Sequence, residues 1–478
     1  MRFVVAAVAF ALGCSGGREL AGEEDARDGV VHEGAHPGDG DVDDPITGDA
    51  IPGTDGDDDA AAEGDSDAVA ADDADADADA DAPPPLPGCP DTLAGDGPVA
   101  LVVRWRHQEP WGWASPGSGG VAVRNGVVVA AQPSSPWVEG SEPWGVWLDA
   151  ETGTPMPYER DRLLRGMRAV DATVHGDEME FAGVLPPCGD TPADLEGVRA
   201  LSDGTVDPSW GASGAGIGLS IAEASSLRIV ATNPDDPHST EHLLLLHGRT
   251  ADGGWRIEGM SESMAASIDL HDAAEDDGEG FVAVGLYQEY WIPRSDVRIL
   301  WTTPRALHLT NGLVETVASM ALDAPSRFVP VAAIVPTARG SDYLLARRSD
   351  DLAAGVGLWI ERRRADDLAV VSSHDLRAYE TAVDRPEPRE LQGRDDAFAL
   401  AWVAGRRAPD DRESLCLYAT PLDTSGAMAG PAVRVDDAAL DTVVPPVEHV
   451  RMFADHGAYY LLWRREPDLW LARVDAGT

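Results

Sequence analysis

Ala397-Phe-Ala-Leu-Ala-Trp402 and, about sixty residues later, Ala458-Tyr-Tyr-Leu-Leu-Trp463 decide how this chain is read. Short apolar runs bounded by turn residues are the pattern of buried strands, too short for helices of ordinary length. Each run leads through a polar turn into a second apolar run that closes on Asp and Gly. The first is followed by Leu415-Cys-Leu-Tyr-Ala-Thr-Pro-Leu-Asp-Thr-Ser-Gly426, the second by Leu469-Trp-Leu-Ala-Arg-Val-Asp-Ala-Gly477. Gly280–Leu286 with Val297–Thr302, and Asp342–Arg348 with Leu358–Arg364, repeat the plan. Fainter starts stand at Gly126–Ala131, Glu178–Val184 and Ser226–Thr232. The seven starts lie roughly 50–60 residues apart; a period of about 40–50 marks propeller blades, and longer loops stretch it. The expectation is an all-β fold, a β-propeller of about seven blades over residues 89–478. A stacked pair of β-sandwiches is the alternative. Trp402 and Trp463 are expected in the core.

The two ends of this region fit each other. The last unit stops at Thr478, short of strands, while Pro98-Val-Ala-Leu-Val-Val-Arg-Trp105 has no place in the first full unit. An N-terminal strand that completes the final blade accounts for both and hides a sheet edge. Amphipathic helices are scarce: Arg160–Ala169 and Asp323–Ala333 come nearest, and Pro325 and Pro330 interrupt the second.

Upstream, the composition changes. The chain has 478 residues and a formal net charge of −48, and residues 19–88 hold 24 acids against one arginine, Arg27. Asp72 to Asp81 is nearly an Asp-Ala alternation, followed by Pro83-Pro84-Pro85. So few large apolar residues cannot offset the entropy of ordering, so residues 15–88 read as a disordered acidic tether. Both parts of the chain are acidic and repel phosphate backbones, so nucleic acid is not expected as a partner. The sequence holds no lysine. That excludes phosphate-loop, Schiff-base and kinase-type lysine chemistry and the Ser-x-x-Lys pair.

Arg2 followed by the apolar run Phe3–Leu12 has the form of an export signal, too short to span a bilayer. It ends in Ala11-Leu12-Gly13-Cys14, which resembles the bacterial lipobox, although that pattern prefers Leu where Ala11 stands. The resemblance implies that residues 1–14 are a lipoprotein signal peptide with Cys14 as the lipidated cysteine. Ser15 in place of Asp implies the outer membrane, with the chain in the cell envelope, periplasmic or surface-exposed. Contact with the membrane is through the lipid anchor only, since no later stretch approaches the length of a transmembrane helix. Farther on, Arg199-Ala-Leu-Ser-Asp-Gly-Thr-Val-Asp-Pro-Ser-Trp-Gly211 resembles the delta-60 propeller repeat over about 15 residues. The layout of lipobox, Asp-rich tether and degenerate propeller is similar to that of many myxobacterial lipoproteins, a resemblance that implies compartment and fold but no activity.

Three further cysteines follow, and an oxidising compartment permits one bridge among them. Cys89 and Cys188 share loop-like, Pro/Gly-flanked contexts and are the expected pair. Cys416 lies in an expected strand and is taken as a buried free thiol.

Chemistry is thinly marked. His238-Ser-Thr-Glu241-His242 matches H-x-x-E-H, the inverted zinc-protease signature. Asn233-Pro-Asp-Asp-Pro237 before it and Leu243–Leu246 after it read as loop and strand, so the helix that zinc chemistry requires does not fit. His238 and His242 therefore remain weak metal candidates. No cofactor is indicated. Gly38-Asp39-Gly40-Asp41-Val42-Asp43 and Gly53-Thr54-Asp55-Gly56-Asp57 echo calcium loops without completing one. The lone G-x-S-x-G, Gly13 to Gly17, straddles the expected cleavage site. Acid pairs for glycoside hydrolysis leave no sequence signature. Trp111, Trp113, Trp144 and Trp147, in Pro/Gly-rich surroundings, are candidate ligand contacts that stack on sugars or anchor a protein; packing between blades is the plainer alternative. The functional expectation is a membrane-anchored extracytoplasmic recognition or scaffold domain without catalytic machinery, taking a protein or glycan ligand. The alternative is a carbohydrate-active enzyme or accessory, which predicts a channel with convergent acids and a perturbed carboxyl group.

Overall fold

The computed structural model describes residues from Cys89 to Gly477 apart from most connections between strands, and of 208–330 only strand backbones. The expectations for residues 1–88, including Cys14, and those for Cys188, Trp111, Trp113 and His238 lie outside the described residues.

Among the described residues there are strands and no helix. Strands β1 (Thr92–Leu93) and β2 (Ala100–Glu109) join sheets completed far downstream. The first sheet is β3 (Gly120–Arg124), β4 (Val127–Gln132) and β5 (Trp144–Asp149). The second is β6 (Val170–His175), β7 (Glu178–Leu185), β8 (Ala193–Ala200) and β9 (Val206–Ala215). The third is β10 (Gly218–Glu223), β11 (Leu227–Asn233), β12 (His242–Arg249) and β13 (Trp255–Ser263). The fourth comprises β14 (Ser267–Asp276), β15 (Gly280–Gln288), β16 (Ser295–Thr302) and β17 (Glu315–Ala321). The fifth comprises β18 (Val331–Thr337), β19 (Gly340–Ser349), β20 (Gly357–Arg364) and β21 (Val370–Asp375). The sixth is β22 (Asp384–Arg394), β23 (Ala397–Arg407), β24 (Glu413–Leu422) and β25 (Ala432–Arg434), with β1 on its outer edge. The seventh is β26 (Glu448–Asp455), β27 (Ala458–Arg465) and β28 (Asp468–Gly477), completed by β2. All pairings among these strands are antiparallel, and apart from β1–β25 and β2–β28 each sheet is a meander, as short hairpin connections favour.

Each of the seven apolar starts read from the sequence falls on the second strand of its sheet, from β4 to β27. The runs paired with them are third strands. The expected closing strand also forms: β2 pairs with β28 from Ala100↔Gly477 to Glu109↔Leu469. Val331–Ala333, part of a helix candidate, instead opens β18, where Pro330 ends any helical reading.

Hairpin turns explain part of the register. Asn125-Gly126 and His456-Gly457 link β3 to β4 and β26 to β27 as two-residue loops with positive φ throughout, the geometry that matches strand twist.

The core lies between sheets. One apolar cluster joins the fifth and sixth sheets (Leu344, Ile360, Leu400, Trp402, Tyr418), and a second joins the sixth and seventh (Ala401, Leu417, Leu461, Trp463). Others join the seventh to the first and the first to the second. Trp402 is fully buried, stacked on Tyr418 at 5.0 Å, and its indole N–H donates to Thr420 Oγ1 at 2.8 Å. Trp463 is likewise fully buried. The first strands of successive sheets touch one another: β3 and β6, β6 and β10, β10 and β14, β14 and β18, β18 and β22, β22 and β26, and finally β26 and β3.

A repeated turn fastens one sheet to the sheet before it. After β5, Asp149 Oδ1 accepts from the backbone N–H of Thr152 at 2.8 Å, and Gly153 takes φ +69°. After β24, Asp423 Oδ1 accepts from Ser425 N–H at 2.8 Å and Ala427 N–H at 3.0 Å, and Gly426 takes φ +84°. Any Cβ at Gly153 would meet the Trp105 ring, and one at Gly426 would meet Ile360, each on the preceding sheet. Carbonyls of these turns accept hydrogen bonds from that same sheet. Ala150 O receives Trp105 Nε1 at 3.0 Å and Arg473 Nη1 at 2.9 Å, while Thr424 O receives Arg362 Nη1 at 3.1 Å.

The disulfide corrects the sequence reading. Cys89 is bonded to Cys416 on β24 with Cα atoms 6.4 Å apart, so Cys89 does not pair with Cys188 and Cys416 is not a free thiol. The loop-like context of Cys188 was a misleading guide, because the N-terminal segment runs along the sixth sheet rather than the second. Thr92 and Leu93 pair with Val433 and Ala432, Tyr418 Oη donates to Pro90 O at 3.0 Å, and Arg434 N–H donates to Asp91 O at 2.8 Å.

Candidate functional site

Charged side chains gather on β22 and β26, the first strands of the sixth and seventh sheets. Strand β22 carries Pro386-Glu387-Pro388-Arg389-Glu390. Proline donates no ladder hydrogen bond, and the pairing with β23 slips between Asp384 and Glu387 and again between Pro388 and Glu390. Such bulges re-aim side chains. Strand β26 has its own irregularity: the register shifts between Glu448 and Arg451, and His449, within the shift, takes φ 49°.

These slips bring opposite charges together. Arg451 Nη1 donates to Glu390 Oε2 at 3.4 Å, tying β26 to β22. Gln392 Nε2 donates to Glu390 Oε1 at 3.3 Å. Glu387 accepts from Arg389 at 2.9 Å and from Arg348 on β19 at 3.4 Å. Burial pushes the Glu390 carboxyl up to about 7. Arg451 and Gln392 oppose that rise and Asp171 adds to it. Asp171 stands on β6, and in the succession of contacts two sheets lie between its own and that of β22. Its repulsion of Glu390 therefore acts between non-neighbouring sheets, through a region their first strands share. His449 is held down to about 4, first by burial and then by repulsion from Arg464, Arg451 and Arg389. It is a neutral imidazole at physiological pH, with one donor and one acceptor nitrogen.

A second polar group closes the same sheets. Asp436, 2% exposed, accepts from Arg434 at 2.9 Å and from Arg465 at 2.7 Å. The acid follows β25 and Arg465 ends β27, so this network joins the sixth and seventh sheets. Both Asp436 oxygens are engaged by these pairings, and the network reads as structural.

The aromatic expectations divide. Trp147 is 1% exposed and packs edge-on to Tyr158 at 6.1 Å, so it is core and not a ligand contact; the alternation along β5 turns it inward. Trp144 opens β5 opposite Gln132, and only its backbone is described. Of the H-x-x-E-H motif, His242 begins strand β12, paired with Ser263, which is not the helical setting the zinc signature needs. Among the described residues no group of three or more His, Cys, Asp or Glu could hold a metal ion, and no helix is long and apolar enough to cross a membrane.

Sequence reasoning missed Asp171, Glu387, Arg389, Glu390, His449 and Arg451. The available signal was positional: each apolar second strand needs a partner just upstream, and Pro-Glu-Pro-Arg-Glu occupies that place before Ala397.

No family model and no curated protein matches the chain. Among solved structures it is similar to Drosophila Plexin A in complex with Semaphorin 1b, at 8% identity and a TM-score of 0.41, covering 80% of this chain and 88% of that one. It is similar to Chaetomium thermophilum Sqt1 at 14% identity and a TM-score of 0.39, covering 73% and 82%. It is also similar to an endo-arabinase from Bacteroides thetaiotaomicron at 13% identity and a TM-score of 0.29, covering 53% and 90%. At these scores the likenesses assign neither family nor ligand.

Proposed function

We propose that this chain is an exported, lipid-anchored binding protein whose ectodomain is a seven-bladed β-propeller recognising its ligand at one mouth of the central channel. The ring of contacts between first strands supports the architecture, as does a final blade built from β26, β27, β28 and the N-terminal β2. A pair of sandwiches would pack two large sheets face to face and would not need that ring. The Cys89–Cys416 disulfide supports export, because such bonds persist in oxidising compartments. Lipidation at Cys14, the acidic tether of residues 15–88 and the outer membrane belong to this reading through the lipobox resemblance.

One observation carries binding over catalysis. The two glutamates of β22 are engaged by arginines, Glu387 by Arg348 and Arg389 and Glu390 by Arg451. A carboxylate held by guanidinium groups fixes geometry and charge for recognition more readily than it serves as a general base. The test has two arms. Labelling with a fatty-acid analogue should mark the protein and leave Cys14→Ser unmarked. Brief protease treatment of intact cells should release the ectodomain. Protection until the outer membrane is permeabilised would place the ligand inside the envelope and end the surface-receptor form of the reading.

A carbohydrate-active reading is favoured by one specific feature: Glu390 titrates near neutrality and feels Asp171 across the channel, as a general acid opposite a second carboxylate would. A screen of polysaccharides for released reducing ends, with Glu390→Gln as control, decides it. Hydrolysis abolished in the variant would favour the enzyme, and none with any polysaccharide would leave the binding protein.

A further inference from the structure

His449 is the least explained residue in the described structure. A non-glycine residue at φ 49° is strained unless its surroundings impose that conformation. The other two such residues, Asn125 and His456, sit in tight hairpin turns that demand the conformation. His449 sits in a strand bulge, partly buried, and its imidazole makes no hydrogen bond among the described residues. Its neighbours are cationic. Arg464 is on β27, where it pairs with Glu448 of β26; Arg451 is two residues along β26 itself; Arg389 stands beside Glu390, which Arg451 grips. Arg389 is one-third exposed and commits Nη2 to Glu387 at 2.9 Å, while its Nε is buried without a hydrogen-bond partner, so its fork is only partly committed. In a chain of net charge −48, a neutral imidazole among guanidinium groups is a local exception to the prevailing sign.

We propose that this end of the channel binds the carboxylate of an acidic sugar, with Arg389 and His449 as direct contacts. The inference rests on the binding-protein reading above and names its ligand class. A guanidinium fork matches a carboxylate bidentately. The neutral imidazole adds one donor and one acceptor, while Glu390 is buried with its oxygens engaged by Arg451 and Gln392 and so fixes Arg451 in place. A polyol bearing one acid uses both the guanidinium and the imidazole, whereas an acidic peptide uses only the arginine. The strained backbone at His449 is then the cost of holding its ring toward the ligand.

The test is calorimetric titration of the full-length protein with an oligogalacturonide, with its methyl ester, and with polyglutamate. Saturable binding of the free acid is expected, with the ester and polyglutamate each at least about tenfold weaker, the scale of one lost charge-assisted hydrogen bond. Arg389→Gln should weaken binding by about tenfold or more. His449→Gly should do the same while keeping or raising the melting temperature, because glycine adopts that φ without strain. No binding of the acid, equal binding of the ester or of polyglutamate, or unchanged affinity in both variants overturns the proposal. Such a failure, with the ectodomain still released by protease from intact cells, would leave the recognition reading standing.

Discussion

The first and second strands of the sixth and seventh sheets are neighbours with opposite characters. Strands β23 and β27 are buried almost throughout, and their side chains supply two inter-sheet clusters. Strands β22 and β26 carry three glutamates, four arginines, a strained histidine and three register slips. A strand with a sheet face on either side has one solution, apolar residues on both faces. A first strand has one unpaired edge, and it tolerates proline and bulges that a central strand does not. Core burial and charge are thus carried one strand apart.

The comparison would break if the second strands proved dispensable. Trp402→Ala removes a fully buried ring stacked on Tyr418 and leaves Thr420 without its indole donor. The expected loss is about 3–5 kcal/mol, read as a drop in the urea midpoint with unchanged slope. A loss under about 1 kcal/mol would mean that the sixth sheet is held by something other than its inter-sheet core.

The same asymmetry explains how much of the fold was legible. Second strands announce themselves by apolar runs such as Ala397–Trp402, and all seven were found at their true places. First strands such as Asp384–Arg394 carry no apolar strand signal, because prolines and charges are turn signals in most other contexts. The closing strand Pro98–Trp105 was legible because it is apolar and had no local partner. The disulfide was not legible: Cys89 and Cys416 are 327 residues apart, and only the return of the N-terminal segment along β25 brings them together. Of the two readings of Trp147, ligand contact or packing between sheets, the second holds: both faces of β5 are covered, so neither its Gly/Pro-rich flanks nor alternation leaves the ring exposed. The site escaped because its members come from β6, β22 and β26, strands that approach each other only once the sheets are arranged.

The N-terminal segment sharpens the comparison, since it adds strands to the sixth and seventh sheets at the edges opposite their first strands. Replacing both cysteines, Cys89→Ala with Cys416→Ala, should cost about 2–4 kcal/mol by releasing the unfolded chain from a long covalent loop. Binding at the channel end should be unchanged in the folded variant. Trypsin should cut near Arg104 and Arg106 sooner than in the oxidised protein, as β1 and β2 peel more easily. An unchanged melting temperature would show that the strand pairing alone secures both edges.

Glu390 tests the other side. Its folded carboxyl is raised from the ordinary value to about 7. The stability it contributes is therefore complete below the unfolded value and is lost as pH rises through about 7. Wild-type protein should lose about 2–3 kcal/mol from this group between about pH 5 and pH 8, and Glu390→Gln should flatten that part of the curve. Denaturant midpoints across the range decide it; parallel curves would mean that Arg451 neutralises the carboxylate at every pH.

The smallest effect is expected at the turns. Asp423 accepts two backbone N–H groups and the Ser425 hydroxyl, bonds that hold its carboxyl below the usual carboxylate range although burial opposes them. A depressed carboxyl contributes stability above its unfolded value, and that contribution is lost as pH falls through the folded one. The side chain is largely solvated, so Asp423→Asn should cost only about 0.5–1 kcal/mol at neutral pH and less in acid. Gly426→Ala at the same turn should cost more, because it meets both a positive φ and the Ile360 side chain. If the asparagine variant lost as much as the alanine one, the carboxylate itself would be holding the sixth sheet to the fifth. If only the alanine variant lost stability, close backbone approach would be what joins one sheet to the next, and the aspartate would serve the turn alone.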